Sequence, residues 1–145
     1  MGDNQSRAAM KCPFEFTEAA WTTASSDKCF ILDIPPAVQS RAELLRVVAH
    51  HGEFPDYFGH TWDALLDCLR DFNWIEQRQI VVAHADLPLL ARPDDCRIYV
   101  EILREACLDW SRLNPSDPQH QLRVRFPRSA QSPVLTMLGL QPQHD

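Results

Sequence analysis

Hydrophobic and polar residues follow two different periods along this chain, and the change between them predicts its secondary structure. Residues 28–34 and 79–83 form short apolar runs, which are typical of buried strands. Residues 121–126 alternate between polar and apolar side chains, a pattern that favours a strand at the edge of a sheet.

Segments with helical periodicity lie between these strands. Ser40 is expected to cap a helix that stops at Gly52, and Pro93 opens a long helix that continues to about Arg112. Another helix is expected at about residues 60–72. The long helix is expected to bury a stripe formed by Tyr99, Ile102, Leu103, Ala106 and Trp110. Strands that alternate with helices predict an α/β fold built on a small parallel sheet.

The helix at residues 60–72 has two faces of opposite chemistry. Its apolar stripe consists of Trp62, Leu65, Leu66, Leu69 and Phe72. Asp63, Asp67 and Asp71 recur on the other side at i, i+4 spacing. Each such pair of like charges costs a few tenths of a kcal/mol, and Arg70 is the cation nearby in sequence that offsets them. This face makes sense if a cationic partner meets it from outside.

An aromatic turn, at residues 54–60, precedes the acidic helix and is expected to be pinned at Gly59. Phe58 is expected to pack over the start of the helix, whereas Tyr57 is expected to stay outside. The turn and the acidic face together form the best candidate for a binding surface.

Charge and length narrow the function further. The 145 residues predict one domain with a sizeable core. Fourteen Lys and Arg against twenty Asp and Glu give a net charge of −6, which disfavours direct nucleic-acid binding and favours a basic partner.

Cysteine usage and hydropathy indicate the compartment. The five cysteines are odd in number, scattered and without a C-x-x-C pair, so neither a disulfide framework nor a zinc site is predicted. No apolar run approaches the roughly 18 residues of a membrane span, and the N-terminus lacks the apolar stretch of a signal peptide. We therefore expect a cytoplasmic protein without a membrane partner.

Residues 55–69 carry a long motif, Pro-Asp-Tyr-Phe-Gly-x-x-x-Asp-Ala-Leu-x-Asp-Cys-Leu, and residues 104–106 add Arg-Glu-Ala. With this motif, the chain resembles the barstar family of intracellular ribonuclease inhibitors over roughly residues 28–126. The resemblance implies a small three-stranded parallel sheet packed against helices. It divides the chain into an N-terminal extension (1–26), a barstar-like domain (27–127) and a C-terminal tail (128–145).

The resemblance also implies a function. A barstar-like protein would occlude the basic active-site cleft of a ribonuclease or ribonuclease toxin with its acidic helix and the preceding turn, as an immunity protein, with no catalysis, cofactor or metal. Carried over by position, Asp67 would occupy the pocket for the substrate phosphate. The implied partner-binding residues are Tyr57, Gly59, Thr61, Asp63, Leu66, Asp67, Trp74 and Glu105.

Three residues depart from the family pattern. Thr61 replaces an Asn in the turn, Trp62 replaces a Leu, and Leu66 replaces a Trp that contacts the enzyme. Because Thr61 lacks an amide and Leu66 lacks a large anchor, the target need not be barnase. For Trp74, the sequence is compatible with burial in the core and with contact to the partner.

Two alternatives come from other functional classes. His60, Asp63 and Asp67 lie on one helical edge, with His50 and His51 near in sequence, which is compatible with a small metal-dependent hydrolase. A single helix rarely supplies a whole metal site, however. The other alternative is a barstar-fold interaction module without a ribonuclease target. Cys68 is expected to be a buried structural thiol rather than a nucleophile.

Overall fold

Parallel strands form the sheet at the centre of the protein. The structure, a computed structural model, describes residues 12–18, 28–113 and 121–140. Within them the sheet order is β1-β4-β3-β2, and every neighbouring pair is parallel. The strands are β1 (Glu15–Thr17), β2 (Cys29–Ile34), β3 (Gln79–His84) and β4 (Gln121–Pro127).

The helices lie between and after the strands. They are α1 (Arg41–His51), α2 (Trp62–Asp71), α3 (Pro93–Leu113) and α4 (Gln131–Met137), and a 3-10 turn at Arg128–Ala130 precedes α4. The predicted alternation of strands and helices is confirmed, and so is the parallel sheet. Among the described residues, no helix is both long and apolar enough to cross a membrane.

The number of strands and the position of β4 were predicted wrongly. The sheet has four strands rather than three, because Glu15–Thr17 in the N-terminal extension pair with β4. This pairing places β4 inside the sheet, between β1 and β3, and not at its edge. Glu15 accepts hydrogen bonds from Arg123 (2.8 and 3.1 Å) and Arg125 (2.9 Å). The polar positions of β4 therefore serve ion pairs within the sheet.

The edge opposite β1 is formed by β2, which the apolar pattern presented as a buried strand. Its alternate residues Phe30, Leu32 and Ile34 are buried, whereas Asp33 is exposed. The inner strand next to β2 is β3, in which every residue after Gln79 is buried. Continuous burial of this kind is expected for a parallel strand inside a sheet.

Both ends of α1 agree with the sequence signals. Ser40 Oγ accepts a hydrogen bond from the Glu43 N–H (3.1 Å), which satisfies one of the free donors in the first turn. The chain leaves the helix at Gly52, where space is tight. A Cβ added there would lie 2.7 Å from Phe54 and 2.8 Å from the Val48 carbonyl oxygen. Only a glycine lets the chain pass this point without a shift of its neighbours.

The long helix α3 positions α2. Its predicted stripe is buried, from Tyr99 to Trp110. Trp110 Nε1 donates a hydrogen bond to the Leu69 carbonyl oxygen of α2 (2.8 Å). The two helices are thereby fixed against each other, and the orientation of the acidic face follows from this packing.

One imidazole lies inside the core. His84 is completely buried and stacks on Phe126, with ring centroids 4.1 Å apart. Its Nδ1 lies 2.8 Å from the Arg125 carbonyl oxygen, which can only accept, so Nδ1 carries the proton. Its Nε2 then accepts from the Tyr99 hydroxyl (2.7 Å). Burial lowers the pKa of His84 to about 4, and the ring is therefore neutral at pH 7.

The segment after β4 packs onto the fold through buried apolar residues. Ala130, Val134, Leu135 and Leu138 are buried within or beside α4. The segment that was assigned to a C-terminal tail contributes a 3-10 turn and a short helix. The predicted boundary at residues 26 and 27 lies outside the described residues.

Candidate functional site

The helix α2 separates a buried face from an exposed acidic face. Leu65, Cys68 and Leu69 are buried. Asp63, Asp67 and Asp71 are exposed on the other side, as the periodicity predicted. The two faces of the predicted helix are thus confirmed, although its bounds are 62–71 rather than about 60–72.

The start of α2 is fixed by Thr61. Its Oγ1 accepts a hydrogen bond from the Ala64 N–H (3.1 Å), which makes Thr61 the N-cap. Asp63 lies in the first turn, where a negative charge interacts favourably with the helix dipole. Thr61 is exposed, so one residue both caps the helix and remains accessible beside the acidic face.

The turn before α2 presents one aromatic ring and buries the other. Tyr57 is 74% exposed, whereas Phe58 is 6% exposed and packs edge-to-face on Phe54, with ring centroids 5.0 Å apart. This arrangement confirms the expected division between Tyr57 and Phe58. A large ring that the fold leaves in solvent is a common anchor in protein interfaces.

The expectation that Gly59 pins the turn is wrong. The residue in the left-handed region is His60, with a φ of 54°. A Cβ added to Gly59 would meet only the Ala64 Cβ, at an ordinary 3.9 Å. Neither backbone conformation nor space inside the protein requires a glycine here. The missing side chain leaves an open approach to the backbone of the turn from outside.

Trp74 is bound into the fold and also reaches the surface. It is half-buried, and its Nε1 donates a hydrogen bond to the Gly52 carbonyl oxygen (3.0 Å). Its ring packs against Phe54 and Phe72 at centroid distances of 5.5 and 5.2 Å. The indole N–H is therefore used internally, and the accessible part of the ring is what a partner could contact. Leu66 is likewise half-buried.

The structure brings Glu105 of α3 close to Asp67 of α2 through Arg70. Arg70 Nη2 lies 3.3 Å from Glu105 and Nη1 lies 3.8 Å from Asp67. Arg70 Nε also donates a 2.6 Å hydrogen bond to Asp109. Arg70 was predicted to offset the acidic face, but its link to α3 was not predicted. The i, i+3 spacing of Asp67 and Arg70 indicated only the pair within α2.

Cys68 lies on the inner side of α2, where it is buried as expected. Burial raises the pKa of its thiol to about 11, and the carboxylates of Asp71 and Asp67 add to this effect. A thiol in this environment stays protonated at neutral pH and reacts slowly. All five cysteines of the chain fall within the described ranges, and none of them forms a disulfide.

The proposed metal ligands do not come together. In the ranges that the structure describes, no group of three or more His, Cys, Asp or Glu side chains is arranged to hold a metal ion. His51 Nδ1 lies 2.6 Å from the carbonyl oxygen of Asp33, and His60 packs on Phe58 with ring centroids 4.7 Å apart. The hydrolase alternative therefore lacks a ligand set in this part of the chain.

A concave site exists elsewhere in the fold. A cleft of about 640 Å³ follows the carboxyl ends of β2, β3 and β4, and it is lined by residues such as Val38, Leu87 and Ala130. The residues predicted to bind a partner do not line this cleft. Most of them lie on the exposed face of α2 and the turn before it, while Trp74 follows α2 and Glu105 lies on α3. An exposed face of this kind is suited to inserting into a partner rather than to enclosing a small substrate.

Comparison with known proteins assigns the chain to one family. The sequence model of the barstar family, described as Barstar (barnase inhibitor), matches residues 29–126. This match covers about two thirds of the chain, and it confirms the resemblance drawn from the motif at residues 55–69. It leaves β1 and α4 outside its bounds. No curated protein and no solved structure matches the chain.

Proposed function

This chain belongs to the barstar family, and we propose that it inhibits a small basic ribonuclease by inserting α2 and the preceding turn into the active-site cleft of the enzyme. The family model carries the description barnase inhibitor. Inhibition of this kind needs binding and no catalysis. The observation that carries the proposal is the exposed row of carboxylates on a helix whose other face is buried.

The chemistry of a ribonuclease cleft explains why carboxylates fit it. Such a cleft holds a phosphodiester with cationic side chains, and arginine pairs with a carboxylate in the same bidentate way as with a phosphate. Asp63 and Asp67 are one helical turn apart, about 6 Å between their Cβ atoms. They present negative oxygens at the phosphate positions without a bond that the enzyme could cleave.

The remaining residues have supporting roles in this proposal. The ring of Tyr57 lies against the surface of the enzyme, and Gly59 lets the enzyme approach the backbone. Thr61, Leu66 and Trp74 form the contacts around the two carboxylates. Glu105 contributes a charge at the rim, where it acts mainly on the rate of association.

We further propose that the protein is an immunity protein of the cytoplasm, which neutralises a ribonuclease toxin inside the cell. Free cysteines are typical of a reducing compartment. The net charge of −6 would attract a basic toxin and repel RNA, so that the inhibitor finds the enzyme rather than its substrate.

The test is inhibition of a panel of small basic ribonucleases related to barnase, with barnase itself included. Cleavage of a fluorescent RNA is followed as the protein is titrated at two salt concentrations. We expect stoichiometric inhibition of at least one enzyme, with association slower at high salt because the Debye length shortens. Failure to inhibit any enzyme of the panel, or RNA cleavage by the protein alone, would overturn the proposal.

A further inference from the structure

Arg70 occupies an unusual place on the acidic face. Each of its guanidinium nitrogens points at a different carboxylate: Nε at Asp109 (2.6 Å), Nη2 at Glu105 (3.3 Å) and Nη1 at Asp67 (3.8 Å). Asp67 lies on α2, and the other two carboxylates lie on α3. The planar guanidinium holds its donors in a rigid fork, whereas the ammonium group of a lysine is a compact point charge on a flexible stem.

Asp109 anchors the fork. Its side chain is only 17% exposed, and it is held from a second side by Arg112 Nη1, 3.3 Å away. The 2.6 Å bond to Arg70 Nε is the shortest of the three contacts. The pKa of Arg70 is raised above its ordinary value, chiefly by this hydrogen bond. The position of the guanidinium is thus set from the side of α3, independently of the exposed carboxylates.

The two carboxylates that contact Arg70 Nη1 and Nη2 are exposed. The side chain of Asp67 is 77% exposed and that of Glu105 is 56% exposed. Exposed side chains normally exchange between rotamers, and ordering them on binding weakens the complex. A guanidinium that is already fixed between them reduces this freedom before the partner arrives.

We propose that Arg70 is a positioning residue of the partner-binding surface, which holds Asp67 and Glu105 in the orientation in which they meet a basic enzyme. This inference rests on the proposed function, because it assigns a role within the same surface. Arg70 also places one positive charge between the two carboxylates. A matching partner therefore directs its cations to the outer oxygens of Asp63 and Asp67 and keeps them away from the fork.

The test separates the planar geometry of the Arg70 guanidinium from its positive charge. Arg70→Lys keeps the charge and removes the fork, whereas Arg70→Gln removes both and makes the net charge of −6 more negative by one. Association and dissociation rates are measured with the ribonuclease of the panel that the parent inhibits most strongly. Arg46→Lys, at an exposed position on α1, is the matched control.

We expect Arg70→Lys to dissociate about two- to tenfold faster than the parent, the range that corresponds to ordering one side chain, with an unchanged association rate. Arg70→Gln should dissociate similarly fast but associate faster, because the face becomes more acidic. If charge alone mattered, Arg70→Lys would match the parent and Arg70→Gln would bind more tightly. That result would overturn the inference.

Asp109→Ala removes the acceptor of the Arg70 Nε hydrogen bond at a side chain that is only 17% exposed. We expect it to raise the dissociation rate as Arg70→Lys does, and we expect little further loss when the two substitutions are combined. Urea unfolding of each variant shows whether any loss follows from unfolded protein. An Asp109→Ala variant that dissociates like the parent would show that the contact with α3 does not position Arg70 for binding, which contradicts the inference.

The two proposals fail in different ways. If Asp67→Ala binds the enzyme as tightly as the parent, the acidic face is not the inhibitory surface, and the proposed function is wrong. If Asp67→Ala weakens binding while Arg70→Lys has no effect on dissociation, the proposed function stands and only the positioning role is wrong. In the background of Asp67→Ala, Arg70→Lys should lose most of its effect, a coupling that a purely structural arginine would not show.

Discussion

Replacement of Asp67 by alanine separates binding from stability most sharply. The side chain is 77% exposed, and its contact with Arg70, at 3.8 Å, is the longest of that arginine's three ion pairs. An exposed pair of this kind is worth about 0–1 kcal/mol. The substitution also removes repulsion from Asp63 and Asp71, a few tenths of a kcal/mol each, and alanine is the better helix former. These terms nearly cancel, so the free energy of unfolding should change by less than about 0.5 kcal/mol.

The same substitution should have a much larger effect on the complex. In the proposed complex, Asp67 faces cations of the enzyme from which water is excluded. Removing one partner of such a pair leaves a desolvated charge without its counter-charge, at a cost of about 3–5 kcal/mol. This corresponds to an affinity that is lower by roughly 100-fold to several thousand-fold.

The assay measures the dissociation constant with the most strongly inhibited ribonuclease and, in parallel, urea unfolding of the free protein. Asp71→Ala is the matched control, because it removes the same charge from the same exposed face and lies outside the partner-binding residues that the resemblance implies. It should weaken binding less than about threefold. Equal losses for Asp71→Ala and Asp67→Ala would mean that net charge, rather than a specific contact, accounts for the inhibition.

Three further predictions concern the rim, the turns and the core. Glu105→Gln should mainly slow association and make it less sensitive to salt, as stopped-flow mixing would show; the barnase complex of this family is itself the standard example of such steering. Gly52→Ala should lower the free energy of unfolding by about 1–3 kcal/mol because its Cβ would overlap neighbouring atoms, whereas Gly59→Ala should leave stability unchanged and weaken inhibition. Burial lowers the pKa of His84 from 6.5 to about 4. The free energy of unfolding should therefore have its full value above pH 6.5 and fall by about 3 kcal/mol as the pH falls towards 4. Urea unfolding between pH 7.5 and 4.5 should show this loss, and His84→Gln should flatten it.

The sequence was sufficient for the parts of the fold that local chemistry dictates. The cap at Ser40 and the stop at Gly52 bound α1 as predicted, because capping and close approach are requirements of one or two residues. The buried side of α2 followed from periodicity in the same way. The acidic face could be predicted for the same reason, since residues that one helix presents to solvent are readable from that helix alone.

The errors arose where distant segments meet. A strand of three residues, Glu15–Thr17, is too short to carry a periodic signal, so the fourth strand was missed. Because β1 was not predicted, the alternating pattern of β4 was interpreted wrongly as that of an edge strand. The role of Arg70 was incomplete for the same reason, because Asp109 and Glu105 reach it from another helix. No local pattern records such a contact.

The departures from the family pattern can be read as an exchange along one side of α2. Where the family has a leucine and, four residues later, a tryptophan, this chain has Trp62 and Leu66, so the large ring has moved by one helical turn. The moved ring is half-buried and lies beside Tyr99, with ring centroids 6.4 Å apart. Its Nε1 is inaccessible and has no acceptor among the described residues.

An indole N–H in that position contributes nothing to a partner, and leaving it unpaired costs the fold about 1–3 kcal/mol. The exchange therefore conserves apolar volume on α2 while it removes the large anchor beside Asp67, where Leu66 is now half-buried. An enzyme whose cleft rim was shaped to hold a tryptophan at that point would meet a gap. Under the proposed function, an enzyme that fits this surface fills that space with its own side chains and therefore differs from barnase at this point.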